Sequence, residues 1–94
     1  MKAVIVEEEM AAAAAREELV GEVAPDIEIT GRLQSVEESI EWFSTHDMPE
    51  LVFMDIHLAD GSAFGIFDHV KITCPIIFTT AYDQYALRAF DVNS

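Results

Sequence analysis

The sequence predicts an α/β fold, a parallel sheet with helices on both faces, and three observations carry that expectation. Apolar stretches of strand length alternate with stretches of helical periodicity in the order β-α-β-α-β-α-β-α, the pattern of parallel strands joined by crossover helices. Two of the strand runs, Val4-Ile5-Val6 and Leu51-Val52-Phe53-Met54, are continuously apolar, as strands buried on both faces are. Both runs end abruptly in acid, at Glu7-Glu8-Glu9 and at Asp55, and ligands of open α/β sheets bind just outside the carboxyl ends of the strands.

The elements follow in order. Residues 2–6 read as the first strand. Met10 to Val20 reads as the first helix, closed by Gly21 and kept from continuing by Pro25. Its run Ala11 to Ala15 has high helix propensity and little apolar area to bury. Asp26-Ile27-Glu28-Ile29-Thr30 alternates, as a half-exposed edge strand does. Ser35-Val36-Glu37-Glu38 fits a capping box, and behind it Val36, Ile40 and Phe43 share one face of a second helix. Leu51 to Ile56 is the third strand. Ala59-Asp60-Gly61-Ser62 is a loop by composition, and Phe64 to Val70 a short third helix. Ile76 to Thr80 is a fourth strand, with Pro75 at its permitted start, and Asp83 to Val92 a fourth helix. His46 and His69 read as surface residues.

At 94 residues the chain is expected to be one domain, 1–94, without internal repeat or linker. A hydrophobic content of 51% excludes a disordered chain. The formal net charge of −13 speaks against direct nucleic-acid binding, which needs clustered Lys and Arg, and against anionic membrane surfaces. The one cysteine, Cys74, excludes an internal disulfide framework and reads as a small buried hydrophobe. No apolar run approaches the ~20 residues of a membrane span, and the start has no secretory pattern. A cytoplasmic protein is expected.

Strands one and three side by side would bring Glu7, Glu8 and Asp55 into one crevice. Like charges repel: two of them about 4 Å apart cost on the order of 4 kcal/mol at an effective dielectric near 20. The usual remedies are a shared proton or a divalent cation. The residues therefore point to an acidic, Mg²⁺-binding pocket with Asp55 at its centre.

Four segments, taken together, resemble a known family: Val4-Ile5-Val6-Glu7-Glu8-Glu9; Phe53-Met54-Asp55-Ile56-His57-Leu58-Ala59-Asp60-Gly61; Pro75-Ile76-Ile77-Phe78-Thr79-Thr80-Ala81-Tyr82; and Tyr85-Ala86-Leu87-Arg88-Ala89-Phe90. In this order and spacing they are similar to the receiver domain of a two-component response regulator, of the kind attached to LytTR-type DNA-binding domains. The resemblance implies a flavodoxin-like sheet with strand order 2-1-3-4. It implies a phosphoacceptor, Asp55, phosphorylated by a partner histidine kinase in a Mg²⁺-dependent reaction, with catalysis that is mostly positioning and charge screening. Asp55 and Glu8 would be direct metal ligands, Glu7 would act through water, and His57 would contribute its backbone carbonyl. Thr80 matches the switch hydroxyl, with the Ala81 backbone N–H nearby. Tyr82, Tyr85 and Phe90 would pack on one helix face. Beyond weak self-catalysed phosphotransfer and dephosphorylation, no enzymatic activity is implied.

The chain departs from the family pattern in three places. Glu8 stands where the family usually has Asp. Five alanines follow the acidic cluster where a bulky apolar residue is usual. The family's fifth strand, with its Lys-Pro, and fifth helix are not found before Ser94, and neither Lys2 nor Lys71 matches the missing lysine. Without a fifth strand, Ile76 to Thr80 would be an unprotected edge, so self-association through the fourth strand or by exchange of the fourth helix is expected. The alternative to a working phosphoacceptor is thus a receiver fragment that does not accept phosphate and serves as a self-associating interaction module. A Mg²⁺-dependent phosphatase with a nucleophilic Asp fits less well, because Asp55 is followed by Ile56-His57, with no second Asp two residues on.

Overall fold

A computed structural model of the chain describes residues 1–79. Thr80, Ala81, Tyr82, Tyr85, Phe90 and the helix expected from Asp83 to Val92 lie outside the described residues.

The first strand, β1 (Lys2–Val6), leads through the acidic cluster into helix α1 (Met10–Val23). Then come β2 (Glu28–Leu33), α2 (Val36–Thr45) and β3 (Leu51–Met54). A small antiparallel hairpin, β4 (His57–Leu58) and β5 (Gly61–Ser62), precedes a 3-10 helix (Ala63–Asp68) and β6 (Ile76–Phe78). The main sheet has the order β2-β1-β3-β6 with every pairing parallel. This is the expected α/β arrangement, order 2-1-3-4, with β6 as the fourth strand of the prediction.

Side chains alternate across a strand, and that divides the sheet into two faces. Val4, Val6, Val52 and Met54 are fully buried and form the main core with Leu33, Phe43, Leu58, Ala63, Ile66 and Cys74. Cys74 is indeed buried, and burial pushes its thiol pKa up. On the other face Ala3 and Ile5 are buried while Ile77 of β6 stays 48% exposed. Here α1 packs with Ala13 as its buried residue. Beside it Leu19, Val20, Val23, Ala24, Ile27 and Phe53 line an apolar groove of about 270 Å³.

Several boundaries differ from the sequence expectation. Helix α1 runs through Gly21 to Val23 and ends where the Ala24 N–H reaches the Val20 carbonyl, 2.7 Å. Gly21 is not a left-handed cap; Pro25 stops the helix by forcing the residue before it, Ala24, out of the helical region. Strand β2 lies later than the predicted 26–30, because a register shift opposite Ala3 and Val4 skips Thr30 and lets pairing continue through Gly31 to Leu33. The expected loop from Ala59 to Ser62 is the turn Ala59-Asp60 followed by strand β5 of the hairpin, with Gly61 at φ 139°, a conformation that L side chains rarely adopt. The third helix is 3-10 over 63–68 instead of α-helical over 64–70, started by Ser62 Oγ accepting from the Phe64 N–H, 3.2 Å. No helix among the described residues is long and apolar enough to cross a membrane.

Candidate functional site

Three backbone hydrogen bonds carry the strand pairing one residue past the strand ends. The Glu7 N–H donates to the Leu33 carbonyl (2.7 Å), the Asp55 N–H to the Val6 carbonyl (2.9 Å) and the Thr79 N–H to the Met54 carbonyl (2.9 Å). Glu7, Asp55 and Thr79 are thereby set side by side at the carboxyl edge of β1, β3 and β6. This is where the sequence placed the site, and it follows from parallel register alone.

Glu7 is 5% exposed, an unusual burial for a carboxylate. Its burial raises its pKa above the ordinary value of 4.5; the Glu9 N–H, which donates to Glu7 Oε2 at 3.3 Å, opposes the rise. The Asp55 carboxylate beside it raises it further, by its charge and by side-chain hydrogen bonding, and Arg16 again opposes. Asp55 is half-buried, and its Oδ1 accepts from the His57 N–H at 3.4 Å. The structure thus brings Glu7 and Asp55 together. Glu8 is exposed, with its backbone carbonyl accepting from Gln34 Nε2 at 3.2 Å; neighbours along an extended segment face opposite ways, so Glu7 inward puts Glu8 outward. Among the described residues no three His, Cys, Asp or Glu side chains converge into a metal-holding set. His57 is exposed and lies on β4, opposite Ser62.

Two residues not singled out in the sequence shape this region. Arg16, on α1, reaches Glu7 Oε1 (3.4 Å) and donates to the Thr79 carbonyl (3.1 Å). Asp60, in the hairpin turn, accepts from the Val36 N–H (2.7 Å) and the Glu37 N–H (3.0 Å) at the start of α2. These two bonds hold its carboxyl below the usual carboxylate range, against a small opposing desolvation. Asp60 ties the segment after Asp55 to α2.

The donor chemistry fits a hard divalent cation. Mg²⁺ takes oxygen ligands and is commonly held by one or two carboxylates with waters completing its shell. A buried carboxyl of raised pKa beside a second carboxylate is what such an ion relieves.

No family model matches the chain. The sensory transduction protein LytT of Bacillus cereus is 38% identical over 99 residues, an alignment covering all of this chain and 39% of that protein. LytT of Enterococcus faecalis is 42% identical over 85 residues, covering 85% of this chain and 35% of that protein. The chain therefore spans well under half the length of these relatives. Among solved structures, the response regulator PhyR from Brucella abortus superimposes with a TM-score of 0.75 at 27% identity, over 94% of this chain and 36% of that one. The sheet order, the carboxylates at its carboxyl edge and the likeness along the whole chain together place it among the receiver domains of LytTR-type two-component response regulators.

Proposed function

We propose that this chain is a phosphoacceptor switch: Asp55 takes a phosphoryl group from a partner histidine kinase, in a Mg²⁺-dependent reaction. The observation that carries the reading is the Asp55 carboxylate at the end of the central strand β3, beside the buried, pKa-raised carboxyl of Glu7. In the transfer, an Asp55 oxygen forms a P–O bond as the P–N bond of a phosphohistidine breaks, and the electron pair returns to the imidazole nitrogen. A bound Mg²⁺ supplies charge screening between the attacking carboxylate and the phosphoryl oxygens. The resemblance implies Asp55 and Glu8 as direct ligands, Glu7 through water and the His57 backbone carbonyl; of these, Asp55 and Glu7 stand together at the pocket and Glu8 is exposed. The His57 N–H on Oδ1 orients the Asp55 carboxylate. Thr80, one residue beyond Thr79, is the switch hydroxyl of this reading, and Ala81 supplies a backbone N–H. The whole protein is proposed to be a cytoplasmic transcription regulator whose DNA-binding part lies in the length its relatives have beyond this chain.

The test is intact mass after incubation with acetyl phosphate and Mg²⁺, with a chelator control and Asp55→Asn alongside. A Mg²⁺-dependent phosphoryl adduct, lost in Asp55→Asn, is expected. Absence of the adduct on a folded wild-type chain would sink the reading.

A second reading is a self-associating interaction module that does not accept phosphate. It is favoured by exposed Ile77 on β6, which among the described residues has no strand on its outer side, and by the apolar groove along α1.

A further inference from the structure

Arg16 is a cation set among acids. It stands three residues after buried Ala13, on the same face of α1. One nitrogen, Nη2, lies 3.4 Å from Glu7 Oε1 and 3.1 Å from the Thr79 carbonyl oxygen. The pair is sheltered, with the Arg16 side chain 27% exposed and that of Glu7 6%. The other cations among the described residues are engaged or placed elsewhere. Arg32 pairs with Glu17 at 2.7 Å, Lys2 opens β1 at the opposite end of the sheet, and Lys71 precedes β6. Because β3 lies between β1 and β6, the Arg16 guanidinium joins the acid after β1 to the carbonyl after β6, across the strand that carries Asp55.

Two cations compete for one carboxylate, and each is repelled by the other. A small divalent ion with oxygen ligands holds the carboxylate more strongly than a guanidinium does, and the guanidinium, on a flexible stem and partly exposed, is the one free to move. Resting on the reading of the site given above, we propose that Arg16 is the resident counter-cation of the metal-free pocket. It is a positioning residue that a divalent ion displaces from Glu7, so that loading the pocket also loosens the Arg16 tie to the end of β6. The segment freed is the one that leads directly into Thr80.

The test is Mg²⁺ binding by calorimetry on the 94-residue chain, at one fixed pH, for wild type, Arg16→Gln, Arg16→Lys and Asp55→Asn. Removing the competing charge should tighten Mg²⁺ in Arg16→Gln by about tenfold, between the bulk-water and the protein-surface effect of a unit charge a few ångström away. Arg16→Lys keeps the charge and should stay near wild type. An arginine with a purely structural role predicts the opposite: unchanged or weaker Mg²⁺ binding in Arg16→Gln, which would overturn the assignment. Should Arg16→Gln prove unfolded, the wild type decides by NMR. The Arg16 guanidinium resonances should shift on Mg²⁺ saturation, and resonances that stay put would equally overturn it. If wild type binds Mg²⁺ and Asp55→Asn binds it more weakly while the Arg16 results fail, only the role of Arg16 falls. If wild type binds no Mg²⁺, the pocket reading falls and Arg16 with it.

Discussion

Burying the Glu7 carboxyl next to Asp55 is a cost that only the ionised form bears. Its folded pKa lies above 4.5, the ordinary value, first through burial and then through Asp55. A group of this kind binds its proton more tightly in the folded chain, so stability falls as pH rises from the unfolded pKa to the folded one, and stays low above it. Glu7→Gln removes that loss. Without divalent ions, the variant's urea midpoint should exceed that of wild type near neutral pH, with the gap closing as pH falls toward about 4. Arg16 loses a partner in the variant, but it is partly exposed and keeps the Thr79 carbonyl. A gap that stays constant or widens as pH falls across this range would contradict the assignment. At this scale Glu7 and Asp55 were legible, because an apolar strand that ends in acid states its own register. Arg16 was not, since Arg16-Glu17-Glu18 reads as a solvated charge run. The available signal was its spacing: it falls between Ala13 and Val20 on the inward stripe of α1, where a cation needs an acid.

Helix α2 shows how local rules and tertiary contacts share one helix start. Ser35 Oγ accepts from the Glu38 N–H at 3.0 Å, as the capping box predicts. In the return bond the Gln34 N–H donates to Glu38 Oε1, 2.6 Å, one residue earlier than the motif implies. The two N–H groups left over, on Val36 and Glu37, are taken by Asp60 from the distant hairpin, and leaving them unpaired is what a helix start avoids. Ser35→Ala should cost about 1 kcal/mol, a typical N-cap loss, read in equilibrium unfolding. Asp60, whose pKa is depressed by the Val36 and Glu37 bonds, contributes stability that is present above its unfolded pKa and lost as pH falls through the folded one. Asp60→Asn should therefore lower stability on the neutral side, where that contribution is present, and leave the acid side nearly as it was, so that the profile flattens. Two of the element boundaries that the sequence missed share a cause. Thr30-Gly31 looked like a strand end but is a bulge held by β1, and Ala59 to Ser62 looked like a loop, but its Gly61 and Ser62 pair with Leu58 and His57 across the turn at Ala59-Asp60. Both depend on what lies opposite, which no single segment displays.

For the whole molecule, charge and apolar surface pull in opposite directions. The face carrying Ile77 at 48% exposure and Val23 at 75%, with the groove between α1 and Phe53, is the kind of surface that seeks a partner. Against it stands a formal charge of −13 on a body whose radius of gyration is 12.3 Å. Two copies approaching at low salt repel over distances comparable to their own size. Screening shortens that reach, from about 30 Å at 0.01 M ionic strength to about 3 Å at 1 M, while leaving apolar burial intact or strengthening it. Self-association should therefore be weak at low ionic strength and grow as salt rises, the reverse of an assembly held by ion pairs. Sedimentation velocity across that salt range is the check. Ile77→Lys, which puts a charge on the outer strand of the described sheet, should shift the onset to higher protein concentration or abolish it. Association that weakens with salt, or that ignores the Ile77 substitution, would place the contact elsewhere on the molecule and leave the apolar face to some other occupant. Mg²⁺ separates the two proposed readings in the same experiment. At matched ionic strength a module that only self-associates responds to Mg²⁺ and Na⁺ alike, whereas a phosphoacceptor pocket built on Glu7 and Asp55 makes the response specific to the divalent ion and removes that difference in Asp55→Asn.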